Sequence, residues 1–172
     1  MNRLHTTAAL AALTLAIVAA PLVASGTGRT ARVPATARAP AMVPAEIIRT
    51  RQAGFKEMGT AFKNAMDALR ASEPQIIMIQ QSARTIKNDS VALRGWFPAG
   101  SGPAPGLKTA AKPEIWTKPV EFRAAQDQLG RAADAFQAAT AGGNVDAIRA
   151  AARGLGGACK NCHDQFRVPE QR

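Results

Sequence analysis

The chain has 172 residues, enough for one domain of ordinary size with additional segments. Hydrophobic residues make up 47% of the sequence, many of them alanine, and tyrosine is absent. This composition disfavours a sheet, which needs β-branched and aromatic residues, and favours closely packed helices. The formal net charge is +10, but basic and acidic residues are interleaved rather than gathered in runs. The pattern indicates a solvated basic surface able to attract an acidic partner.

Residues 1–25 predict a signal peptide that is cleaved on export. A single arginine precedes an almost wholly apolar segment, Thr7–Val23, and small residues follow at a plausible cleavage point. A membrane anchor is the competing interpretation, but an apolar stretch of about 17 residues that contains Pro21 is marginal for crossing a bilayer. We therefore expect a periplasmic protein with no membrane attachment after cleavage. Because an exported protein rarely meets nucleic acid, no nucleic-acid partner is expected.

Residues 26–44 predict a disordered linker, because they are rich in alanine, proline, threonine and arginine and lack hydrophobic periodicity. The folded domain is expected over residues 45–172. Its first helix is predicted over about Ala45–Ala71, where apolar residues recur at helical spacing. The second helix is predicted to open with a capping box at Ser72–Gln75 and to continue towards Leu93.

Glycines and prolines are dense over residues 95–116, which predicts a long crossover loop. The third helix is expected from about Thr117 to a double glycine at residues 142–143, and Asn144 is expected to cap the fourth. Four amphipathic helices with a long connection between the second and third predict an all-α fold, an antiparallel four-helix bundle. The fourth helix alternates apolar spacings of three and four residues, at Val145, Ile148, Ala152, Leu155, Cys159, Cys162 and Phe166.

The sequence CKNCH at Cys159–His163 has the spacing of a c-type haem attachment motif. On a helix, Cys159 and Cys162 are neighbours, so two thiols can add to the two vinyl groups of one haem, and His163 is held beside the iron. A disulfide is an alternative, although cysteines three apart in a helix make a strained bridge. A thioredoxin-like redox pair would be expected at a helix start in a βαβ unit. A zinc site would need four ligands.

The segment Gly156–Arg167, GGACKNCHDQFR, resembles the attachment segment of the class II cytochromes c, and specifically of the cytochrome c prime family. Arg51-Gln52 in the first helix and Lys112–Trp116 before the third are similar to family positions as well. The resemblance covers about residues 45–167. It implies one covalently bound haem c inside the bundle, with His163 as the axial iron ligand near solvent.

The resemblance also implies roles for residues outside the attachment motif. Arg51 and Gln52 match positions that contact the haem propionates, which suits cationic and amide donors; solvated surface positions are the alternative. Arg167 matches a basic residue beside the proximal face of the haem, or it is a cation favoured at a helix C-terminus. We expect Trp96 and Trp116 to pack the loop, with contact to the haem as the alternative.

The sixth iron position divides the expected functions. In low-spin relatives a methionine occupies the position four residues after the arginine of the Arg-Gln pair; in the cytochrome c prime family an apolar residue stands there. This chain has Phe55, expected to cover the distal face of the haem. Met58 lies on the same helix face and is the alternative sixth ligand, although methionines in a hydrophobic stripe usually fill the core.

Two functions follow from these expectations. The first is a high-spin, five-coordinate haem that binds NO or CO in an apolar site, where dioxygen would find no hydrogen-bond donor. The second is a single-electron carrier for a redox protein partner, which axial ligation by Met58 would favour. We expect no enzymatic activity, because the mature chain keeps no histidine beyond His163 for a distal site. The resemblance further implies a homodimer formed through the first two helices.

Overall fold

The computed structural model describes residues 43–169, and within them the predicted all-α fold is confirmed. No strand forms in this part of the chain, although Ala111 and Arg167 make an isolated antiparallel bridge. The predicted signal peptide and most of the predicted linker lie outside the described residues. The elements are α1 (Pro44–Arg70), α2 (Ile76–Ala92), the 3-10 turn Leu93–Gly95, α3 (Glu114–Thr117), α4 (Pro119–Gly142) and α5 (Val145–Phe166).

The four long helices form the bundle by packing in sequence around a common interior. Helix α1 packs against α2, α2 against α4, α4 against α5, and α5 against α1. Short turns join α1 to α2 and α4 to α5, so each of these pairs is antiparallel. The long crossover joins α2 to α4 and carries α3. Over residues 43–169 no helix is long and apolar enough to cross a membrane.

Several helix ends lie where the local sequence predicts them. Helix α4 begins with Pro119 in its first turn, where the missing N–H of proline costs no hydrogen bond. It ends at Gly143, whose φ of 71° is a conformation that glycine adopts readily. Asn144 then caps α5, because its side-chain oxygen accepts a hydrogen bond of 2.9 Å from the backbone N–H of Ala147. The predicted connection between these helices is confirmed.

The predicted capping box at Ser72–Gln75 is wrong, because α2 begins at Ile76 and no side chain caps it. Proline disfavours a helical conformation at the residue before it, so Pro74 keeps Glu73 out of the helix. The backbone bonds of the turn point elsewhere: Gln75 N donates to Ala68 O at 3.2 Å, and Ile76 N donates to Pro74 O at 3.1 Å. The turn thus closes onto the end of α1 before α2 starts.

The main core is the larger of two apolar clusters and receives side chains from all four long helices and the 3-10 turn. Alanines at the interior positions let the helices approach closely, while larger side chains fill the remaining space. Each large apolar side chain contributes about 1.5–3 kcal/mol when fully buried. The buried members of the main core are Met58, Ala61, Ala65, Ala68, Leu69, Ile79, Ala83, Ile86, Leu93, Leu129, Ala133, Phe136, Ile148, Ala152, Leu155 and Ala158.

A second group, which we call the aromatic cluster, lies beside the crossover. It combines one aromatic side chain from each of α1, α4 and α5 with three from the crossover region, and neighbouring rings meet mainly edge to face. Its members are Phe55, Trp96, Phe97, Trp116, Phe122 and Phe166. The end of α5 reaches both the main core and the aromatic cluster, so the two groups meet on the inward side of the predicted attachment motif.

Candidate functional site

Helix α5 turns both cysteines of the predicted motif towards the interior. Cys159 packs against the main core, and Cys162 packs against the aromatic cluster and Ile115. Both thiols are free and half-buried, so the alternative of a structural disulfide is not formed. His163 follows at the surface of the helix. The amphipathic pattern of α5 therefore places two thiols on one inward face with an imidazole at its edge.

The thiols are chemically unlike a thioredoxin-type redox pair. Burial raises the pKa of Cys162 to about 11, and the neighbouring Cys159 adds to the shift. Burial likewise raises the pKa of Cys159. Reactive redox cysteines instead have a lowered pKa that favours the thiolate. Both thiols are therefore neutral at pH 7, which argues against the redox-pair alternative.

The zinc alternative lacks ligands. Among residues 43–169, no group of three or more histidine, cysteine, aspartate or glutamate side chains is arranged to hold a metal ion. Partial burial lowers the pKa of His163, the positive charge of Arg167 lowers it further, and Asp164 opposes the shift. The imidazole is therefore neutral at pH 7 and keeps a nitrogen lone pair, as an axial ligand requires.

The end of α5 is tied to the last part of the crossover. Lys112 N donates to Phe166 O at 2.9 Å, and Val168 N donates to Ala110 O at 2.8 Å. The side chain of Lys112 also donates to Asp164 O at 3.0 Å. The last carbonyl groups of a helix have no hydrogen-bond partner within it. The two bonds from Lys112 supply partners for the carbonyls of Asp164 and Phe166. The crossover is thus fastened within one helical turn of His163.

Arg51, on α1, is buried with only 2% of its surface exposed, although the sequence left a solvated position open as an alternative. Its Nη1 donates to the backbone oxygen of Ser101 at 2.8 Å and to the Ser101 hydroxyl at 3.1 Å. Its Nη2 donates to Thr109 Oγ1 at 2.7 Å. The guanidinium also lies 4.8 Å from the ring centroid of Phe97, a cation–π distance.

Burial lowers the pKa of Arg51, which nevertheless stays charged at pH 7. In the described part of the chain no carboxylate forms an ion pair with it. A buried cation without an anion is costly, so its surroundings favour an anionic partner. A haem propionate has the required charge and oxygen donors, and Arg51 therefore fits the role that the family resemblance implies.

Gln52 lies apart from Arg51, although the two are adjacent in the sequence. Its side chain is exposed, and Nε2 donates to the backbone oxygen of Lys108 at 3.0 Å. Successive residues of a helix point about 100° apart, so only one of the pair can face the interior. The structure therefore places Arg51 inside the bundle and Gln52 on its surface, both bound to the crossover.

Phe55 belongs to the aromatic cluster and is half-buried. Its ring meets Trp96 edge to face at a centroid distance of 5.0 Å and Phe97 at 6.1 Å. From Phe97 the contacts continue to Phe122 at 5.0 Å and then to Phe166 at 5.1 Å. A continuous row of aromatic rings thus connects the predicted distal residue on α1 with the end of the helix that carries the motif.

Met58 and Arg167 occupy contrasting places. Met58 is 6% exposed and belongs to the main core, as a filling side chain would. Arg167 is exposed just beyond the end of α5, and its backbone N–H donates to His163 O at 3.0 Å. Trp116 packs the loop, as expected, with its Nε1 donating to Pro98 O at 3.1 Å.

Sequence reasoning missed Phe97 and both hydrogen-bond partners of Arg51, and it did not foresee the aromatic contacts of Phe122 and Phe166. Phe97 lies in the breaker-rich segment, which carries no periodic signal, and Phe122 and Phe166 belong to helix stripes whose partners the sequence does not specify. Ser101 and Thr109 are ordinary loop residues in sequence. The Arg51-Gln52 pair in the first helix is the one signal that could have prompted a search for them, because an arginine that turns inward needs hydrogen-bond acceptors.

Taken together, the residues fit a covalently attached haem. Cys159 and Cys162 offer two inward-facing thiols, His163 offers a neutral imidazole nitrogen, and Arg51 offers a buried cation for an anionic propionate. The surrounding aromatic and aliphatic side chains supply the apolar walls that a porphyrin needs.

Comparisons with known proteins agree with this donor set. The sequence profile of the family Cytochrome C' matches residues 46–167. A cytochrome c' of Rhodopseudomonas palustris is 34% identical over 129 residues, which cover 74% of this chain and 86% of the relative. A cytochrome c' of Rubrivivax gelatinosus is 43% identical over 68 residues, covering 40% of this chain and 53% of that protein.

Among solved structures, a carbon monoxide-bound variant of the cytochrome c prime of Alcaligenes xylosoxidans is 25% identical. The match covers 74% of this chain and 98% of that chain, with a TM-score of 0.67. The sequence and structural similarities both extend over nearly all of the described bundle. The chain therefore belongs to the cytochrome c' family, and its cofactor is covalently attached haem c.

Proposed function

We propose that this chain is a periplasmic cytochrome whose single haem is high-spin, five-coordinate and able to bind NO and CO. The observation that carries the proposal is the position of Phe55, an apolar residue packed among aromatic rings where a ligand-donating methionine would otherwise stand. The carbon monoxide-bound variant of the Alcaligenes xylosoxidans cytochrome c prime supports the proposal. When bound, the haem supplies an iron coordination position and a one-electron couple.

Each residue of the attachment motif has a separate task in this proposal. The thiols of Cys159 and Cys162 form thioether bonds to the two vinyl groups, which fixes the cofactor to α5. His163 provides the axial nitrogen, and its exposed position agrees with a proximal side near solvent. Arg167 lies one helical turn further and adds positive charge on that side.

Phe55 and the surrounding rings determine which ligands the distal side accepts. The rings in contact with Phe55 are those of Trp96 and Phe97. Of the three side chains, only Trp96 carries a hydrogen-bond donor, its indole N–H. Bound dioxygen is stabilised by such donors, whereas NO and CO bind without them. An apolar cover on the distal side therefore favours NO and CO over dioxygen.

Arg51 binds a haem propionate in this proposal, while Ser101 and Thr109 hold its side chain. A cation that lacks a carboxylate in residues 43–169 gains an anionic partner on haem attachment. Gln52 stays on the surface and attaches α1 to the crossover through Lys108. The pair therefore has two roles, one towards the cofactor and one towards the loop.

Electron transfer is the second candidate function, with Met58 as a sixth ligand in its low-spin form. The burial of Met58 in the main core supports a packing role instead. A five-coordinate haem can still exchange single electrons, so a redox protein partner remains part of the proposal. The excess of basic residues, which gives the full sequence a formal net charge of +10, would favour an acidic partner. No enzymatic role is proposed, since residues 43–169 contain no second histidine for distal acid–base chemistry.

A homodimer through α1 and α2 is also part of the proposal. Their outer faces border a groove of about 530 Å³ next to the exposed side chain of Met78. Ile77, the residue before Met78, is also exposed, although large apolar side chains are more often buried. Analytical ultracentrifugation of the exported protein would test this part, and a monomer at high micromolar concentration would contradict it.

The absorption spectrum of the exported protein tests the central proposal. Ferric and ferrous spectra, each with and without CO, should show covalently held haem with high-spin bands and a Soret band that CO shifts. Sharp low-spin bands that CO leaves unchanged would support the electron-carrier alternative. In that event a Met58→Leu variant that becomes high-spin identifies the ligand, and Met66→Leu, at a half-buried methionine of the same helix, serves as its control. Absence of covalent haem would contradict the whole proposal.

A further inference from the structure

The distal residue Phe55 does not stand alone, because its ring is packed against the first residues of the crossover. Trp96 follows directly after the 3-10 turn and donates its backbone N–H to Leu93 O at 3.2 Å. Its indole meets the ring of Phe55 edge to face at 5.0 Å with an interplanar angle of 80°. Phe97 contacts Phe55 at 6.1 Å. Two consecutive residues of the crossover thus contact the distal side chain.

The residue before Phe55 explains how Trp96 comes so close to α1. A Cβ atom at Gly54 would stand only 2.3 Å from Trp96 Cζ2 and 2.4 Å from Cη2. The indole therefore lies directly on the helix backbone, in a place that only glycine leaves open. Glycine lowers helix stability by about 0.5–1 kcal/mol relative to alanine. The close approach of the indole gives this glycine a packing role within a long helix.

The second wall, Phe97, is itself held in place. Its ring contacts Trp116 at 6.0 Å and Phe122 at 5.0 Å, and the Arg51 guanidinium lies 4.8 Å from its centroid. Because Phe97 is packed on several sides, the ring of Phe55 has little room to turn in that direction. Movement of Phe55 away from a haem face therefore requires Trp96 to yield.

We propose that Trp96 is a positioning residue that holds Phe55 over the distal side and thereby limits how fast a gas ligand is captured. This inference rests on the proposed function, in which Phe55 covers the open iron position. The contact between Trp96 and Phe55 must break for a ligand to enter and re-forms when it leaves. Because the contact is already broken at the entry step, Trp96 acts on the association rate.

The first test is the CO association rate of the ferrous holoprotein, measured by stopped flow or flash photolysis. Trp96→Leu should raise this rate by about threefold to tenfold, the range that loss of one edge-to-face aromatic contact can produce. Trp96→Phe keeps an aromatic partner and should recover most of the parent rate. Phe136→Leu is the control for loss of an aromatic ring, because Phe136 is fully buried in the main core and is not a member of the aromatic cluster. It should leave the rate within about twofold of the parent.

A second variant reaches the same contact from the other side and protects the test from a folding failure. Gly54→Ala should displace the indole while leaving both Trp96 and Phe55 in the chain, and it should also accelerate association. Gly59→Ala, on the same helix, is its control, because a Cβ at Gly59 would meet nothing within 4 Å. Alanine suits a helix interior, so the control isolates the effect of the displaced indole.

A third measurement needs no ligand. A 4-fluorophenylalanine placed at position 55 reports ring motion by ¹⁹F NMR in the gas-free protein. The high-spin iron broadens this resonance in every variant, so the comparison is with the parent: we expect additional exchange broadening or a shift in Trp96→Leu and Gly54→Ala but not in their controls. A merely structural contribution of Trp96 would lower stability without this selective change at position 55.

The outcomes separate the two proposals. If the parent binds CO but Trp96→Leu and Gly54→Ala match their controls in rate and in ¹⁹F line shape, the positioning role is wrong and the proposed function stands. If the parent binds no CO, the proposed function is wrong, and the positioning role of Trp96, which rests on it, is wrong as well. Faster association in both variants, with recovery in Trp96→Phe, supports the inference.

Discussion

The main core and the aromatic cluster differ in what holds them together. The main core is made of aliphatic side chains and alanines at helical spacing, with Phe136 fully buried at its centre. The aromatic cluster joins rings from separate parts of the chain and surrounds a buried cation, Arg51, that hydrogen bonds attach to the loop. The bundle's stability and the chemistry of the haem site are therefore supplied mainly by different kinds of residue.

The largest expected effect comes from removing the two attachment thiols. Both are half-buried and are not among the buried members of the main core or the aromatic cluster. A Cys159→Ser, Cys162→Ser double variant should lose all covalent haem, because no thiol remains for a thioether bond. Acid–acetone extraction and haem staining after denaturing electrophoresis would measure this. Far-UV circular dichroism should still report a helical protein, since the main core is intact. A variant that keeps haem through extraction would contradict the attachment role of the two thiols, and one that loses its helices would contradict an independently stable main core.

The next largest effect should come from Phe136, in the main core. Phe136→Ala should lower the free energy of unfolding by about 3–5 kcal/mol, since it deletes a fully buried aromatic ring and leaves a cavity. Denaturant unfolding measures the change. Val120→Ala, with 77% of the valine exposed, is the control and should stay within about 0.5 kcal/mol of the parent. A small effect at Phe136 would mean that the main core does not carry the stability assigned to it.

A substitution of Arg51 tests the role of the aromatic cluster and its buried cation. Arg51→Met should remove the hydrogen bonds to Ser101 and Thr109 and lower the free energy of unfolding by about 1.5–3 kcal/mol. It should also lower the haem reduction potential, because a nearby cation favours the less positive ferrous state. Arg49→Met changes an exposed arginine of the same helix and is the control. Redox titration measures the reduction potential. An unchanged potential would contradict the placement of Arg51 beside the haem.

The smallest expected effect concerns Asp89, whose Oδ2 is buried without a hydrogen-bond partner. Burial, and to a lesser extent the charge of Glu57, raises the pKa of this carboxyl above its ordinary value of 3.8. The folded state therefore binds a proton more tightly than the unfolded chain, and stability falls as pH rises through the folded pKa. Asp89→Asn should remove this penalty and raise the free energy of unfolding at pH 7 by about 0.5–2 kcal/mol.

Urea unfolding of the Asp89→Asn variant and of the parent from pH 2.5 to pH 8 would measure that effect. The parent should lose stability relative to the variant as pH rises, whereas below the ordinary pKa the two should converge. Asp134→Asn is the control, because Asp134 is exposed and forms an ion pair with Lys87. A constant difference between parent and variant across the pH range would contradict the assignment to Asp89.

Prediction from sequence succeeded where neighbouring residues carry the information. The turn between α4 and α5 follows from Gly143 and Asn144, whose backbone and side-chain preferences are local. The alternation along α5 correctly placed Cys159 and Cys162 on an inward face. The start of α2 was misjudged, because a capping-box pattern is short and the bond from Gln75 to the end of α1 competes with it.

The haem site itself was predicted only in part. The donors of the motif are adjacent in the chain, and the chemistry of two thiols and an imidazole specifies their spacing. The burial of Arg51 was left open, since its partners Ser101 and Thr109 lie 50 and 58 residues away. The packing of Trp96 on Gly54 was not foreseen, because a glycine in a helix carries no sign of what will approach it.

By itself, then, the sequence determined the all-α bundle, the attachment motif and the family, because helical periodicity and the CKNCH spacing are properties of nearby residues. Only the tertiary structure decided that Arg51 turns inward while Gln52 stays outside, and that Trp96 and Phe97 enclose Phe55. These contacts form when the irregular crossover folds back on α1 and α5. An irregular segment has no period from which such long-range contacts can be read.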